Sequence, residues 1–311
     1  MKPNIWLSVF VTILVVAVLY ASFRTGESVK IDALRAETPG LSLASLPNGE
    51  TRYQLEGPEQ GDVILLIHGG REPGWTWDEV VPSLHAAGFQ TLRYDMFGRG
   101  YSDRPTDGAY DQAFYLQQAE DLLDALKLTG PVHVAGYSFG AAIATRLAAA
   151  RPAQVRSLSL LAPRYFGYPV PAVVYAPVIG NLLIKYYVKP NALDEVRSFF
   201  TTAQLRDKYL NRVGEPADVV GNYMAFRRFA LSDALAGTEE IYNRLGKLDK
   251  PILVLSGEDD AGITADHIDA IAALVPGARR VALPNANHGL VWQHGETVAQ
   301  EMIRHMRSVL E

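Results

Sequence analysis

An apolar run, Val132-His133-Val134-Ala135, ends in Gly136-Tyr137-Ser138-Phe139-Gly140 and passes without a break into the alanine-rich stretch Ala141–Ala150. The first part suits a buried strand and the last a helix. A strand that turns directly into a helix crowds the residues two before and two after the turning point. Glycine at 136 and 140 relieves that crowding and leaves Ser138 at the apex of a strained turn. The turn lifts the serine oxygen out of the sheet, above a helix N-terminus that favours developing negative charge. G-x-S-x-G alone recurs by chance; the strand before it and the helix after it give it meaning here.

The surrounding chain alternates in the same way. Leu43–Leu46 and Thr51–Leu55 flank Pro47-Asn48-Gly49-Glu50, a tight-turn signature that predicts an antiparallel hairpin. Val63–Ile67 is a continuous apolar run ending in His68-Gly69-Gly70, as expected of a strand covered on both faces. A helix is expected over Trp77–Ala87, a strand over Thr91–Asp95, a helix over Asp111–Leu126 and a strand over Val155–Pro163. After residue 248 the rhythm resumes: a strand in Pro251–Asp260, a helix over Ala265–Leu274, a strand in Arg279–Ala286 and a closing helix over Glu296–Val309. Strands alternating with helices imply βαβ units and a mostly parallel, doubly wound α/β sheet.

Residues 164–248 break the rhythm. They are rich in aromatic side chains, among them Tyr165, Tyr168, Tyr186, Phe199 and Phe229. This segment is expected to be a helical lid over the carboxyl edge of the sheet, inserted into a core formed by residues 42–163 and 249–311.

Ile5–Phe23 is nineteen residues without a charge. A helix of that length nearly spans a hydrocarbon layer of ~30 Å. Trp6 and Tyr20 stand near its ends, where amphipathic rings favour the interface. A cleaved signal peptide would have a shorter apolar region and a small-x-small site, and Leu19-Tyr20-Ala21 is a poor one. A core helix would show a polar stripe, and here there are only Ser8 and Thr12. Residues 1–24 are therefore expected to be a single-pass transmembrane anchor, and residues 25–41 a polar tether with a short amphipathic helix near Lys30–Ala36. Lys2 before the span and Arg24, Lys30 and Arg35 after it give no clean positive-inside bias. A short N-terminal tail more commonly stays inside, which puts the remaining chain on the non-cytoplasmic side.

A serine hydroxyl needs a base to become a nucleophile. Of the seven histidines, His288 follows the last strand, at the edge where open α/β sheets place ligands; His294 is its nearest competitor. His133 and His305 fall within a strand and a helix, and His68 reads as a loop brace. A carboxylate must hold the imidazole, and Glu258, Asp259 and Asp260 all follow the preceding strand. Asp260, fourth in G-x-x-D, is preferred, with Asp259 next. Two amides are expected to hold an oxyanion, those of Phe139 after the serine and of Gly70. No metal or cofactor is required. With no cysteine, thiolate chemistry and thiolate zinc sites are excluded. A net charge of −5 without a basic run gives nucleic acid no support as a partner.

Over residues 41–311 these features resemble the α/β-hydrolase superfamily. His68-Gly69-Gly70 looks like its oxyanion loop, and Asp95-Met96-Phe97-Gly98-Arg99-Gly100-Tyr101-Ser102 like its structural D-x-x-G-x-G-x-S loop. Gly136–Gly140 resembles its nucleophile turn, and Asp260 falls at its G-x-x-D position. The stretch His288–Glu296, with Trp292, is similar to the histidine motif of the branch holding meta-cleavage-product hydrolases and related esterases. Arg71-Glu72-Pro73 lengthens the oxyanion loop beyond the family's pattern. Ser138 argues against the members that use an aspartate nucleophile.

The resemblance implies a serine hydrolase acting on a carboxylic ester, or related acyl bond, of a hydrophobic small molecule through an acyl-enzyme. A carbon–carbon hydrolase or a thioesterase is the rival within enzymes, and a catalytically silent binding protein the rival outside them. The apolar span argues for a substrate unlike those of the soluble carbon–carbon hydrolases.

Overall fold

Eight strands form one sheet in the computed structural model, which describes residues 5–309. Lys2, weighed above for orientation, lies outside the described residues. The strands are β1 (Ser42–Leu46), β2 (Gly49–Glu56), β3 (Val63–Ile67), β4 (Gln90–Tyr94), β5 (Val132–Tyr137), β6 (Val155–Leu161), β7 (Ile252–Gly257) and β8 (Arg279–Leu283). Their order is β1-β2-β4-β3-β5-β6-β7-β8. β1 pairs antiparallel with β2, and β2 antiparallel with β4. Every pair from β4 through β8 is parallel. Parallel strands bring their carboxyl ends to one edge, so the loops after β3, β5, β7 and β8 meet there.

The apolar runs are explained by cover on both faces. Leu65 and Ile67 of β3 join a core with the Gln112–Ala125 and Phe139–Ala150 helices. Ile64 and Leu66 point the other way, into a core with Val81, Leu84, Trp292, Val298 and Met302. The period of two along a strand divides the side chains between the faces. Asp111 caps the Gln112–Ala125 helix by accepting from the Phe114 amide at 2.7 Å.

Several elements depart from expectation. In the first hairpin Leu46 pairs with Gly49, leaving Pro47 and Asn48 as the loop, and among turn residues only Gly49 has positive φ (133°). The helix expected over Trp77–Ala87 is instead a 3₁₀ turn, Gly74–Trp77, followed by a helix over Val81–Ala86. Pro82 is the reason: it lacks an amide hydrogen and fits the first turn of a helix but not its interior.

Residues 164–248 contain short helices, the longest being Lys189–Ser198 and Asn222–Leu231. The Ile5–Phe23 helix is long and apolar enough to cross a membrane, and its side chains are almost all exposed. That exposure separates it from a core helix. The stretch after it is hydrogen-bonded to the body of the protein. The amides of Ser28 and Val29 donate to the Asp218 carbonyl (2.9 and 3.0 Å), and the Val220 amide donates to the Val29 carbonyl (2.9 Å). Glu27 accepts from the amides of Gly221 and Tyr223. The helix expected near Lys30–Ala36 spans Ile31–Ala36, and its Arg35 reaches the Tyr101 carbonyl at 2.8 Å and Asp103 at 2.9 Å. Sequence polarity gave no sign of this docking, because most of the partners are backbone groups far away in the chain.

The loop after β4 is built around buried Asp95. Its carboxylate accepts from the amides of Gly74 (2.7 Å) and Tyr101 (3.0 Å), and Arg52 lies 3.6 Å away. Ser102 donates to the Asp95 carbonyl. Gly100 has φ +47°, and a Cβ there would stand 2.1 Å from Asp95 Oδ2. Replacing Asp95 with Ala leaves two amides and Arg52 without their acceptor. It should cost about 3 kcal/mol in a denaturant unfolding measurement. A loss under about 0.5 kcal/mol would mean that the loop is held by other contacts.

Candidate active site

The turn at Ser138 is fixed by close backbone approaches. A Cβ at Gly136 would lie 2.3 Å from the Gly140 carbonyl oxygen, and one at Gly140 would lie 2.2 Å from that of Ile67. Only glycine lets β5, β3 and the Phe139–Ala150 helix come so near. Ser138 pays for the reversal with φ 53° and ψ −116°. Its amide donates to the Leu161 carbonyl at 2.8 Å, which holds the strained residue to the end of β6.

His288 and Asp260 come to the same place from the loops after β8 and β7. Ser138 Oγ lies 3.0 Å from His288 Nε2, and His288 Nδ1 lies 2.7 Å from Asp260 Oδ2. The other carboxylate oxygen, Oδ1, accepts from the amides of Gly262 (2.9 Å) and Ile263 (2.8 Å). An ionised carboxylate only accepts, so the His288 proton sits on Nδ1 and Nε2 is left with its lone pair toward the serine. The Tyr137 hydroxyl donates to the His288 carbonyl at 2.9 Å, and the rings of Tyr137 and Phe199 flank the imidazole, each with its centre 5.3 Å away. Phe199 comes from the segment between β6 and β7, and nothing in the sequence distinguished it from the other aromatics there.

The competing groups lie elsewhere. Glu258 and Asp259 are exposed. His294 Nε2 faces the Asn285 carbonyl at 3.2 Å, and His133 faces the Ser157 hydroxyl at 2.7 Å. His305 is buried in the closing helix. His68 is buried too: Nε2 accepts from the Met96 amide at 2.8 Å, so Nδ1 donates to the Gly69 carbonyl at 2.6 Å. Burial lowers its pKa to about 4, which keeps this bridge neutral.

Gly70 and Phe139 share one pocket with Ser138 and His288. A Cβ at Gly70 would lie 2.7 Å from Phe229 Cζ and 3.5 Å from Phe139 Cβ, so Gly70 lies close against both residues. The Gly70 carbonyl accepts from Arg99 Nε (2.8 Å) and Nη2 (2.6 Å), which holds this peptide in place. The Phe139 amide belongs to the first turn of its helix, where no carbonyl precedes it to bond. The segment 164–248 adds Tyr168, Val196, Phe199, Phe229 and Leu235 to the pocket wall.

The pocket also contains Glu72, which the sequence reading noted only as part of a lengthened loop. It is buried, and its Oε1 has no hydrogen-bond partner in the protein. Burial raises its pKa to about 7, against the opposing pull of Arg71 and His288. Arg71 turns outward to Glu195 at 2.8 Å, tying the loop to the Lys189–Ser198 helix. Nothing in the sequence marks a glutamate in a loop as buried; a carboxyl group there is ordinarily solvated.

The Glu72 pKa rises from 4.5 on unfolding's side to about 7 on folding's side. The folded chain therefore holds the extra proton between those values, and stability falls as pH rises through that window. Glu72→Gln removes this slope. Relative to wild type it should gain roughly 2 kcal/mol between pH 5 and pH 8, read by urea unfolding at both. A difference independent of pH would show that Glu72 is solvated.

The alpha/beta hydrolase fold family model matches residues 62–295. The chain is 28% identical over 261 residues to the 2-hydroxymuconate semialdehyde hydrolase of Pseudomonas putida, covering 80% of this chain and 88% of that protein. It is 25% identical over 269 residues to Lipase 1 of Psychrobacter immobilis, covering 81% and 78%. Among solved structures, the enol-lactonase of Burkholderia xenovorans LB400 superposes with a TM-score of 0.71 at 20% identity, covering 86% of this chain and 100% of that one. A thermophilic esterase of Thermogutta terrifontis does so with 0.70 at 19%, covering 86% and 98%. At such identities the structural likeness speaks for the fold, and the family match carries the assignment: the chain belongs to the α/β-hydrolase family.

Proposed function

We propose that this chain is a serine hydrolase that cleaves a carboxylic ester, or a related acyl bond, of a hydrophobic small molecule. The observation that carries the reading is the unbroken hydrogen-bonded line from Ser138 Oγ through both nitrogens of His288 to Asp260. Ser138 attacks the carbonyl carbon while His288 Nε2 takes its proton. Asp260 stabilises the imidazolium and keeps the ring in place. The amides of Phe139 and Gly70 receive the oxyanion. His288 then gives its proton to the departing alcohol, leaving the acyl group on Ser138. Water, deprotonated by the same nitrogen, attacks the acyl-enzyme and releases the acid and the free serine.

Residues 164–248 serve as the lid of this reading. They supply most of the apolar wall, including Phe199 and Phe229, and exclude water from the reacting atoms. Residues 42–163 and 249–311 form the hydrolase core, and residues 1–24 a single-pass anchor that leaves the core on the non-cytoplasmic side. Residues 25–41 join the two.

A carbon–carbon hydrolase is the second reading, favoured by the similarity to the Pseudomonas putida protein. Both readings use the same serine, so substrate choice separates them. The full-length chain in detergent would be assayed on p-nitrophenyl esters from two to twelve carbons, beside Ser138→Ala. Ester turnover should fall by at least about 10³-fold in the variant. A fluorophosphonate should label wild type once, on Ser138, and the variant not at all. Full labelling without ester turnover moves the carbon–carbon reading ahead; no labelling defeats both.

A further inference from the structure

Outside the Ile5–Phe23 helix, ten large apolar side chains are exposed among the described residues, and nine of them fall between residues 166 and 224. The exception is Leu55. Soluble surfaces scatter such residues singly; crowding on one part of a fold marks a contact with something apolar. The central members are Val173, Tyr175, Ile179, Tyr186 and Tyr187, the last 66% exposed.

The structure also shows what lies beside this face. The end of the Ile5–Phe23 helix is fastened to it. Ser22, buried, donates to the Val178 carbonyl at 3.3 Å, and the helix packs against the Ile179–Leu183 helix. Lys185 Nζ donates to the carbonyls of Ala21 and Arg24, capping the helix's last turn. From Ser22 to the first charge, Arg24, is about 3 Å of helix rise. Whatever depth Ser22 has in a bilayer, Val178 and Ile179 share it. The side chains around them suit that boundary: tyrosines with an apolar ring and a polar tip, and a lysine whose Nζ lies 5.0 Å from the centre of the Tyr186 ring. The same stretch of chain leads to the catalytic pocket. Tyr168 is half exposed, and it stands in the pocket wall with Ser138.

We propose that the face formed by Val173, Tyr175, Ile179, Tyr186 and Tyr187 rests in the headgroup layer of the membrane entered by the N-terminal helix, and that the substrate reaches Ser138 from that layer. The substrate class is then a long-chain acyl ester dissolved in the bilayer rather than a short ester in water; this half rests on the ester-hydrolase reading above. The apolar part of the pocket wall (Val196, Phe199, Phe229, Leu235 and Ile263) suits an acyl chain, and the charged part (Arg71, Glu72, Arg164 and Glu195) together with the amphipathic rim suits a polar head.

Because the chain has no cysteine, a single one can report position. The full-length chain with Tyr187→Cys, or with the exposed control Gln117→Cys, would carry an environment-sensitive fluorophore in phosphatidylcholine vesicles containing lipid brominated on its acyl chains. Label at 187 should be strongly quenched and label at 117 should not. Equal quenching at the two positions, or none at 187, overturns the docking. In parallel, the triple variant Tyr175→Ser, Ile179→Ser, Tyr187→Ser should lose about tenfold or more on p-nitrophenyl palmitate held in vesicles, since interfacial binding scales with buried apolar area. It should keep wild-type turnover of p-nitrophenyl acetate within about twofold. Equal losses on both esters, or no loss on either, overturns delivery from the bilayer. A wild-type chain inert on both esters defeats the ester-hydrolase reading and the substrate half with it, while the quenching result still decides the docking.

Discussion

The molecule depends on a backbone crossing in which three segments approach closer than any side chain permits. At Gly136 and Gly140 the end of β5, the start of the Phe139–Ala150 helix and the end of β3 meet. The crossing strains Ser138, and the strain persists because both sides of the sheet are closed over it by apolar cores. The same crossing draws β3 under the helix N-terminus and so places Gly70 opposite Phe139. A single steric condition thus sets the strained turn at Ser138 and the close approach of Gly70 to Phe139.

Around that crossing, charge is handled by fixing protons rather than by pairing ions. Asp260 is buried, but both of its carboxylate oxygens are matched, Oδ1 by two amides and Oδ2 by His288. His68 is neutral and bridges two loops through both nitrogens. Arg99 is used as a clamp on the Gly70 carbonyl, its charge spread over the face of the Phe229 ring with its guanidinium carbon 5.1 Å from the ring centre. Glu72 is a buried acid of the pocket whose Oε1 has no partner in the protein, and burial raises its pKa.

Much of this was legible in the sequence, for a physical reason. Strands covered on both faces must be continuously apolar, so β3, β5 and β7 announce themselves, and in a parallel sheet their ends mark the functional edge. Ser138 and Asp260 could be listed because each follows such a run, and His288 because it follows the last strand of the sheet. What was hidden has equally plain causes. The break at Pro82 displaced a helix start by several residues. The loop that carries buried Glu72 is tied by Arg71 to Glu195, over a hundred residues away. The docking of Glu27, Ser28 and Val29 is made with backbone groups of residues 218–223, which carry no side-chain pattern.

That docking has a mechanical meaning. A flexible leash lets an enzyme roam through a hemisphere above its membrane, meeting substrate at an effective concentration diluted by the leash's reach. Here Glu27, Ser28 and Val29, four to six residues beyond the end of the helix, are hydrogen-bonded to the body of the protein, so little slack remains. If the helix enters a bilayer as proposed, the pocket would keep one height and one tilt as the molecule drifts in the plane. Its search would become two-dimensional, and its orientation would be settled before any encounter.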